Sequence, residues 1–301
     1  MTQPNARPPV CDYEGSNYRT DFWEGQGRDY EDRVERIALR KLLPPTGRRL
    51  LELGAGFGRL TGEYRGYEQV VLLDYSRTQL KQAQEHLGRD DRFIFVAADV
   101  YHMPFKAGAF DATTMVRVLH HIANPETALR EIRRILAPGS TFILEHASKR
   151  HLKSMVRYWL RRQSWSPFDL SPVEFVELNF DFHPDHIRRA LNEAGFDIRR
   201  RIPVSLLRMP VLKRRVPVSV LAGIDALFQE SGLLLTPSVF VGATAQGGTV
   251  DNTRVEDLFA CPRCGGKMIV DDSQQLVCDR DGLRWQVRDG IYDFKAPLND
   301  D

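Results

Sequence analysis

The chain has 301 residues, enough for one sizeable α/β core and a smaller module. Its 42 Lys and Arg nearly balance 40 Asp and Glu, and a net charge of +2 argues against a strongly cationic polyanion binder. No apolar run reaches the ~18 residues of a membrane span, and the first residues lack the apolar centre of a signal peptide. We therefore expect a cytoplasmic protein.

The N-terminal region, residues 1–45, has a composition of its own. Its first 30 residues are rich in aromatic residues and glycine and show little periodicity. Glu31–Leu43 then shows helical spacing of its apolar residues and is stopped by Pro44 and Pro45. We predict an irregular aromatic segment followed by an amphipathic helix.

Residues 46–245 alternate short apolar runs with helical stretches. The predicted strands are Leu50–Leu53, Val70–Leu73, Phe93–Ala97, Ala112–Val116, Thr141–Leu144 and Ser238–Ala245. The predicted helices are Thr78–Leu87, Pro125–Leu136 and Pro184–Ala194. This alternation predicts an α/β fold, a doubly wound and mostly parallel sheet with helices on both faces.

Three further segments complete the predicted organisation. Residues 150–180 interrupt the alternation and are predicted to be an insertion beside the active site. Residues 246–254 are rich in glycine and polar residues and predict a linker. Residues 255–301 are predicted to form a small β-rich domain around three cysteines.

The first predicted strand runs directly into a glycine loop, Gly54-Ala-Gly-Phe-Gly58. Glycine lets a backbone turn tightly and approach a ligand without a Cβ in the way. Asp74 and Asp99 end the next two strands, where carboxylates can accept hydrogen bonds from a ribose and from an adenine amino group. Dinucleotide binding is the rival interpretation, but Arg59 stands where its fingerprint has the third glycine.

Several motifs in this region resemble those of class I methyltransferases that use S-adenosylmethionine. Leu51–Gly58 is similar to their first motif, and Phe110–Ala112 with Arg117–Ile122 to the motif of their fourth strand. Ala128–Gly139 resembles the helix and turn before the fifth strand in the broad type 11 group. The resemblance covers residues 45–245 and implies a Rossmann-like methyltransferase fold.

The resemblance also implies roles for individual residues. The methionine part of the cofactor is expected at Glu52 and the backbone of Gly54, Ala55 and Gly56. Asp74 is expected to bind the ribose, Tyr75 to lie against the adenine, and Asp99 and Val100 to contact the adenine edge. Arg117 is expected near the cofactor carboxylate or the acceptor, and the N-terminal aromatic residues are expected to form a lid, with packing against the sheet as the alternative.

The sulfonium is already an activated methyl donor, so the protein's main tasks are to align the acceptor and to exclude water. A general base helps only if the acceptor is a hydroxyl or a protonated amine. His120, His121 and His146 are the candidates, with His146 favoured for contact with the acceptor. The alternative for each histidine is a structural role in packing.

The C-terminal cysteines form two knuckle-like motifs. Cys261 and Cys264 are two residues apart and are followed by glycines, and Cys278 is followed by Asp281 where a fourth cysteine is expected. Residues 258–294 resemble the zinc-ribbon-like domain of the methyltransferase-activator family. The resemblance implies a zinc site made by these four residues, but some such domains keep the fold without metal, and both alternatives stay open.

The segment Lys149–Arg162 holds six Lys or Arg and no acid, together with Tyr158 and Trp159. Such a segment suits RNA or an anionic membrane surface. The favoured interpretation is a helix that buries its apolar residues and roofs a small-molecule pocket.

The sequence thus predicts a methyltransferase acting on a small-molecule acceptor. RNA or a protein of translation is the alternative acceptor. A non-catalytic scaffold that binds the cofactor and holds a partner through its C-terminal domain is the second alternative.

Overall fold

The computed structural model describes residues 8–247, 257–271 and 275–299. The helices are α1 (Asp29–Leu42), α2 (Arg77–Leu87), α3 (Pro125–Ile135), α4 (Leu152–Trp159), α5 (Pro184–Glu193), α6 (Pro210–Arg215) and α7 (Val218–Phe228). The first nine strands are β1 (Gly47–Leu53), β2 (Tyr67–Asp74), β3 (Phe93–Ala97), β4 (Phe110–Met115), β5 (Leu136–Ala147), β6 (Val173–Val176), β7 (Asn179–Asp181), β8 (Phe196–Val204) and β9 (Ser238–Ala245). Four short strands follow, β10 (Met268–Val270), β11 (Leu276–Cys278), β12 (Arg284–Arg288) and β13 (Ile291–Asp293).

One sheet of 11 strands organises the molecule, in the order β10-β11-β12-β13-β3-β2-β1-β4-β5-β9-β8. Strands β13, β3, β2, β1, β4 and β5 run parallel, and β9 is antiparallel to both β5 and β8. The strands β6 and β7 form a separate hairpin. The parallel part of the sheet and its crossover helices confirm the Rossmann-like fold predicted from the alternation.

The two faces of the sheet are covered by different helices, because successive residues of a strand point to opposite sides. Leu51 and Leu53 of β1 pack with the apolar residues of α3 and α5. Leu50 packs with those of α1, α2 and α7. Burial on both faces explains why the successive residues Leu50 and Leu51 of β1 are both apolar.

The C-terminal strands continue the main sheet. Strand β13 pairs in parallel with β3, with Tyr292 opposite Val96, and the amide of Phe294 donates to the carbonyl of Ala97 at 2.7 Å. The chain from Leu258 also pairs with the loop before β4, where the amide of Lys106 donates to Leu258 at 3.1 Å. The separate domain predicted at 255–301 remains a prediction in its boundaries, and most of the predicted linker lies outside the described residues.

Two features of the chain differ from the sequence expectation. Strand β8 and the helices α6 and α7 occur where no regular element was assigned. Helix α4 was expected and is present, but Met155 is its one buried apolar residue, since Leu152 and Val156 are each 49% exposed and Trp159 is 68% exposed. The expectation that Leu152, Val156 and Trp159 are buried was therefore wrong. No helix among the described residues has the length and apolarity to cross a bilayer.

Candidate active site

A cavity that is partly open to solvent lies at the carboxyl ends of β1, β2, β3 and β4. Ligands of open α/β sheets bind at this edge. The predicted site residues that line it are Glu52, Gly54, Ala55, Gly56, Asp74, Tyr75, Val100, Arg117 and His121. The structure thus brings together residues that are up to 69 positions apart in the sequence, from Glu52 to His121.

The glycine loop after β1 contains three left-handed residues, Gly54, Gly56 and Gly58. Gly54 has φ +63°, and a Cβ on it would lie 2.2 Å from Val118 Cγ2. Gly56 has φ +54°, but a Cβ there would meet nothing within 4 Å. Gly54 is therefore required by packing as well as by backbone conformation, whereas Gly56 leaves open space.

Asp74 sits at the end of β2 with its carboxylate facing the loop. One oxygen accepts from the amide of Gly56 and the other from that of Ser76, both at 2.9 Å. Each carboxylate oxygen keeps a second lone pair for a ligand hydroxyl. Burial raises the pKa of Asp74 to about 6.

Glu52 is buried at the end of β1, at the inner wall of the cavity. Its carboxylate accepts hydrogen bonds from Thr61 Oγ1 at 2.5 Å and from the Tyr64 hydroxyl at 3.3 Å. Burial raises its pKa to about 7. Glu52 therefore stands at the boundary of ionisation near neutral pH, and an added positive charge in the cavity favours its charged form.

The adenine end was predicted from Tyr75, Asp99 and Val100. Val100 lines the cavity together with Ala98. Asp99 lies beside the cavity, where its carboxylate accepts the amide of Tyr101 at 2.9 Å and approaches His102 Nδ1 at 3.5 Å. Tyr75 also lines the cavity, with Lys295 Nζ 5.3 Å from its ring centre.

The N-terminal segment covers this cavity, with Val10, Tyr13, Tyr18 and Trp23 in its lining. The segment is held at the start of α2, where Glu14 accepts hydrogen bonds from the amide and the hydroxyl of Thr78. Lys295 Nζ approaches Glu14 at 3.7 Å. The aromatic segment thus occupies the place expected of a lid, and the C-terminal strands touch both this lid and Tyr75.

Arg117, predicted near the acceptor, belongs to a buried ion cluster. Its Nε donates to Glu35 at 2.8 Å, and Arg59 Nη2 donates to the same carboxylate at 2.8 Å. Both guanidinium groups lie over the Trp23 ring, at 5.1 Å for Arg117 and 3.8 Å for Arg59. The Arg117 amide donates to the carboxylate of Glu145 at 2.9 Å, and Arg117 itself has a left-handed backbone with φ +59°. The two arginines of this cluster line the cavity.

The three candidate histidines occupy different environments. His121 lines the cavity, and its Nε2 lies 3.2 Å from the Tyr13 hydroxyl while its Nδ1 lies 2.9 Å from the carbonyl of Leu178. A neutral ring protonated at Nδ1 satisfies both contacts. His120 lies behind it with ring centres 4.0 Å apart, and burial lowers its pKa to about 3.

The structure does not place His146 at the cavity. In β5, Glu145 bonds the Arg117 amide on the cavity side, and the next side chain must point to the opposite face. His146 is buried there beside His183, His186 and Arg201, and burial lowers its pKa to about 4. The expectation that His146 contacts an acceptor at the cavity was therefore wrong, because side chains alternate along β5 and that of His146 points to the other face.

The insertion at 150–180 borders the site through its hairpin. Leu178, between β6 and β7, supplies the carbonyl that contacts His121. Lys149, counted in the basic segment, is completely buried and donates to Asp169 and to the carbonyl of Ser171, both at 2.7 Å. It is therefore a structural cation, not a free charge.

The four predicted metal ligands are brought together at the far end of the sheet. One ligand atom each from Cys261, Cys264, Cys278 and Asp281 lies within 4.8 Å of the others. The amide of Gly266 points at Cys264 Sγ and that of Arg280 at Cys278 Sγ, each at 3.4 Å. Amides aimed at the sulfurs stabilise thiolates, which are the form that binds zinc.

Sequence reasoning missed two acidic residues, Glu35 of the ion cluster and Asp181. Glu35 was treated only as part of a helix, and its full burial has no signature in the local pattern. Asp181, at the end of β7, has its pKa raised to about 6 by burial and by the nearby Glu145. Asp181 directly follows the segment assigned as an insertion, and this position was the only available signal.

Comparison with known proteins assigns the central part of the chain. The family described as "Methyltransferase domain" matches residues 51–144. A demethylmenaquinone methyltransferase of Clavibacter sepedonicus is 34% identical over 115 residues, covering 38% of this chain and 47% of the relative. A ubiquinone/menaquinone biosynthesis C-methyltransferase of Pseudomonas savastanoi pv. phaseolicola is 29% identical over 169 residues, covering 50% and 66%. The chain thus spans about half to two thirds of the length of these relatives.

Solved structures agree on the fold. The complex of the Haloferax volcanii Trm112 methyltransferase activator and a methyltransferase contains a similar chain, with TM-score 0.52 and 19% identity. The match covers 77% of this chain and 97% of that one. At this identity the likeness shows the fold alone. Residues 51–144 thus match a methyltransferase domain, and the fold around them is that of solved methyltransferase structures.

Proposed function

We propose that the protein transfers a methyl group from S-adenosylmethionine to a small-molecule acceptor. The observation that carries the proposal is the convergence of the glycine loop, Asp74 and Glu52 on one cavity beneath an aromatic lid. The two relatives described above are named for quinone substrates, which supports a small apolar acceptor.

The residues present fit the cofactor. Asp74 offers a free lone pair on each oxygen for the ribose hydroxyls, and the open space at Gly56 admits a ligand against the backbone. When bound, the cofactor supplies an activated methyl group. Glu52 and the loop would hold its methionine part, and Val100 would contact its adenine.

The remaining residues align the acceptor and exclude water. Tyr13 is held over the cavity by His121, and Trp23 by the two guanidinium groups of the ion cluster. His121 has both nitrogens engaged, so we assign it a positioning role. Burial raises the pKa values of Glu145, which accepts the Arg117 amide, and of Asp181.

Calorimetry with S-adenosylhomocysteine tests cofactor binding. Asp74→Ala should weaken binding by about 1.5–3 kcal/mol, because it removes hydrogen bonds to a charged group. Asp91→Ala, exposed at the other end of β3, is the matched control and should leave the affinity unchanged. Absence of binding by the wild-type protein, or tighter binding of NAD, contradicts the proposal.

Transfer of labelled methyl groups separates the acceptor classes. We expect incorporation into the apolar small-molecule fraction of a cell extract and none into total RNA or protein. Incorporation into RNA or protein alone would favour the alternative acceptors. Cofactor binding with no incorporation into any fraction would favour the scaffold.

We propose further that the cysteine cluster holds zinc and that the C-terminal strands brace the cofactor site. The ligand separations fit tetrahedral zinc, whose Zn–S distance is about 2.3 Å. The brace consists of the β13–β3 pairing, the contact of Arg77 with Asp293 at 3.4 Å, and the placement of Lys295 near both Tyr75 and Glu14.

Metal analysis of protein purified without chelators tests the zinc site. We expect about one zinc per chain, retained in Asp281→Cys and lost in Cys264→Ser. If the brace operates, Cys264→Ser should also weaken binding of S-adenosylhomocysteine. Wild-type protein without zinc would show that the knuckles are held by packing alone.

A further inference from the structure

Helix α4 and the loop that follows it present an apolar surface that nothing in the described chain covers. Trp159 is 68% exposed, Leu160 57%, and Leu152 and Val156 49% each. Only Ser154 and Met155 of this helix are buried. We call Leu152–Arg162 together with Phe168 the basic–aromatic surface. Its exposed apolar residues are too many and too close together to be scattered surface residues.

The same surface carries uncompensated positive charge. Lys153, Arg157, Arg161 and Arg162 are all exposed, and no acidic residue lies between positions 149 and 162. None of the four forms an ion pair with any described residue, whereas the buried Lys149 is paired with Asp169. Their charges are therefore free to meet a negatively charged partner.

The apolar residues distinguish between the two anionic partners that suit such charges. Single-stranded RNA is bound by stacking bases on free aromatic faces. Trp159 has its ring stacked on Phe168, with centres 6.3 Å apart and an angle of 28° between the planes. Leu152, Val156 and Leu160 offer nothing to a base, but they gain free energy by entering hydrocarbon. Exposed aliphatic, tryptophan and cationic side chains together match the boundary of an anionic bilayer.

The surface is joined to the cavity through the insertion. Trp165, in the loop after α4, packs edge-on against Phe175 of the β6–β7 hairpin at 5.5 Å. Phe175 and Val176 are themselves 52% and 68% exposed. The same hairpin supplies the Leu178 carbonyl that contacts His121 at the cavity.

From these observations we infer that the basic–aromatic surface docks the protein on an anionic lipid bilayer. The apolar residues enter the headgroup region while the four cations lie among the lipid phosphates. Docking is a property of the surface and does not depend on the proposed methyl transfer. If both hold, the hairpin places the cavity next to the bilayer from which an apolar acceptor is drawn.

Sedimentation of the full chain with vesicles tests this inference. We expect binding to equimolar phosphatidylcholine and phosphatidylglycerol, and little binding to phosphatidylcholine alone. Replacing Arg157, Arg161 and Arg162 with Gln should weaken the partition coefficient on the order of 100-fold at low salt, at roughly fivefold per charge. The matched control is the triple change of the exposed Arg65, Arg89 and Arg189 to Gln, which should have little effect.

Apolar insertion is tested separately. The double change Trp159→Ser and Leu160→Ser should weaken vesicle binding roughly tenfold, since it removes burial in the headgroup region. Ile269→Ser with Val270→Ser, exposed on β10, is the control. All variants alter exposed side chains, and circular dichroism verifies that they fold.

Three results would overturn the inference. The first is wild-type protein that binds both vesicle types equally, or neither. The second is unchanged vesicle binding by the Trp159/Leu160 double variant. That result would mean that charge attraction alone accounts for the binding. The third is wild-type protein that binds poly(U) more tightly than anionic vesicles and loses this binding in the triple arginine variant. That result would show that the surface binds nucleic acid.

Discussion

The two sides of the cavity are built from different parts of the chain. The cofactor side consists of strand ends and the glycine loop, and its polar groups are already engaged by backbone amides, as at Asp74. The acceptor side is assembled from the N-terminal segment, the ion cluster and the hairpin of the insertion. The sheet therefore forms the proposed cofactor site, whereas added segments form the proposed acceptor site.

The largest expected effect on the acceptor side is at the ion cluster. Glu35→Gln should destabilise the fold by about 3–5 kcal/mol, because it leaves the guanidinium groups of Arg59 and Arg117 without their shared buried partner. Urea unfolding measures the effect. Asp32→Asn, at a partly exposed carboxylate, should cost about 1 kcal/mol or less. Equal losses in the two variants would show that Glu35 is not the centre of the acceptor wall.

The glycine loop provides a matched pair on the cofactor side. Gly54→Ala should cost about 2–4 kcal/mol, since it combines a left-handed backbone with a clash against Val118. Gly56→Ala has a similar backbone conformation without the clash and should cost only about 1 kcal/mol. Thermal unfolding of both variants tests the difference. A Gly56 variant as unstable as the Gly54 variant would mean that backbone conformation alone governs the loop.

The pH dependence of cofactor binding sharpens the role of Asp74. Its raised pKa of about 6 means that the carboxylate is ionised above this pH and becomes protonated below it. A protonated carboxyl loses an acceptor, so affinity for S-adenosylhomocysteine should fall roughly tenfold from pH 7 to pH 5. Calorimetry across this range measures it, and Asp74→Asn should give a flatter profile. An unchanged slope in that variant would place the titrating group elsewhere.

The smallest expected loss of stability is at Trp159. It decides between the burial predicted from helical spacing and the exposure seen in the structure. From helical spacing alone its removal is expected to cost roughly 3–5 kcal/mol, as for a buried aromatic residue. Because Trp159 is 68% exposed, we expect less than about 0.5 kcal/mol for Trp159→Ala. Met155→Ala, on the buried side of the same helix, should cost about 2 kcal/mol or more. A large loss at Trp159 would mean that its ring is covered.

The cofactor side was predictable because its signals are local. A strand, a glycine loop and an acid at the next strand end are each visible in a short stretch, and the parallel sheet brings them to one edge. The cysteine spacing likewise placed Cys261, Cys264, Cys278 and Asp281 together. These predictions rest on rules that relate sequence distance directly to geometry.

The acceptor side was less predictable because its contacts join distant segments. The pairing of Glu35 with Arg117 links residues 82 positions apart, and the contact of Tyr13 with His121 links residues 108 apart. His146 was misplaced by a single residue of strand alternation, which put Glu145 on the cavity side instead. Helix α4 shows the remaining difficulty, since helical spacing reports that an apolar face exists but not what covers it.

The parallel pairing of β13 with β3 also has a consequence for how the chain avoids self-association. Without β13, strand β3 would be the outer strand of a long parallel sheet, with unpaired amides and carbonyls along an apolar sequence. Tyr292 lies 196 positions after its partner Val96, so this edge of the sheet is paired only after β13 has been made. Before β13 is made, the edge of β3 is therefore free to pair with strands of other chains. Pairing with β13 protects this edge from aggregation.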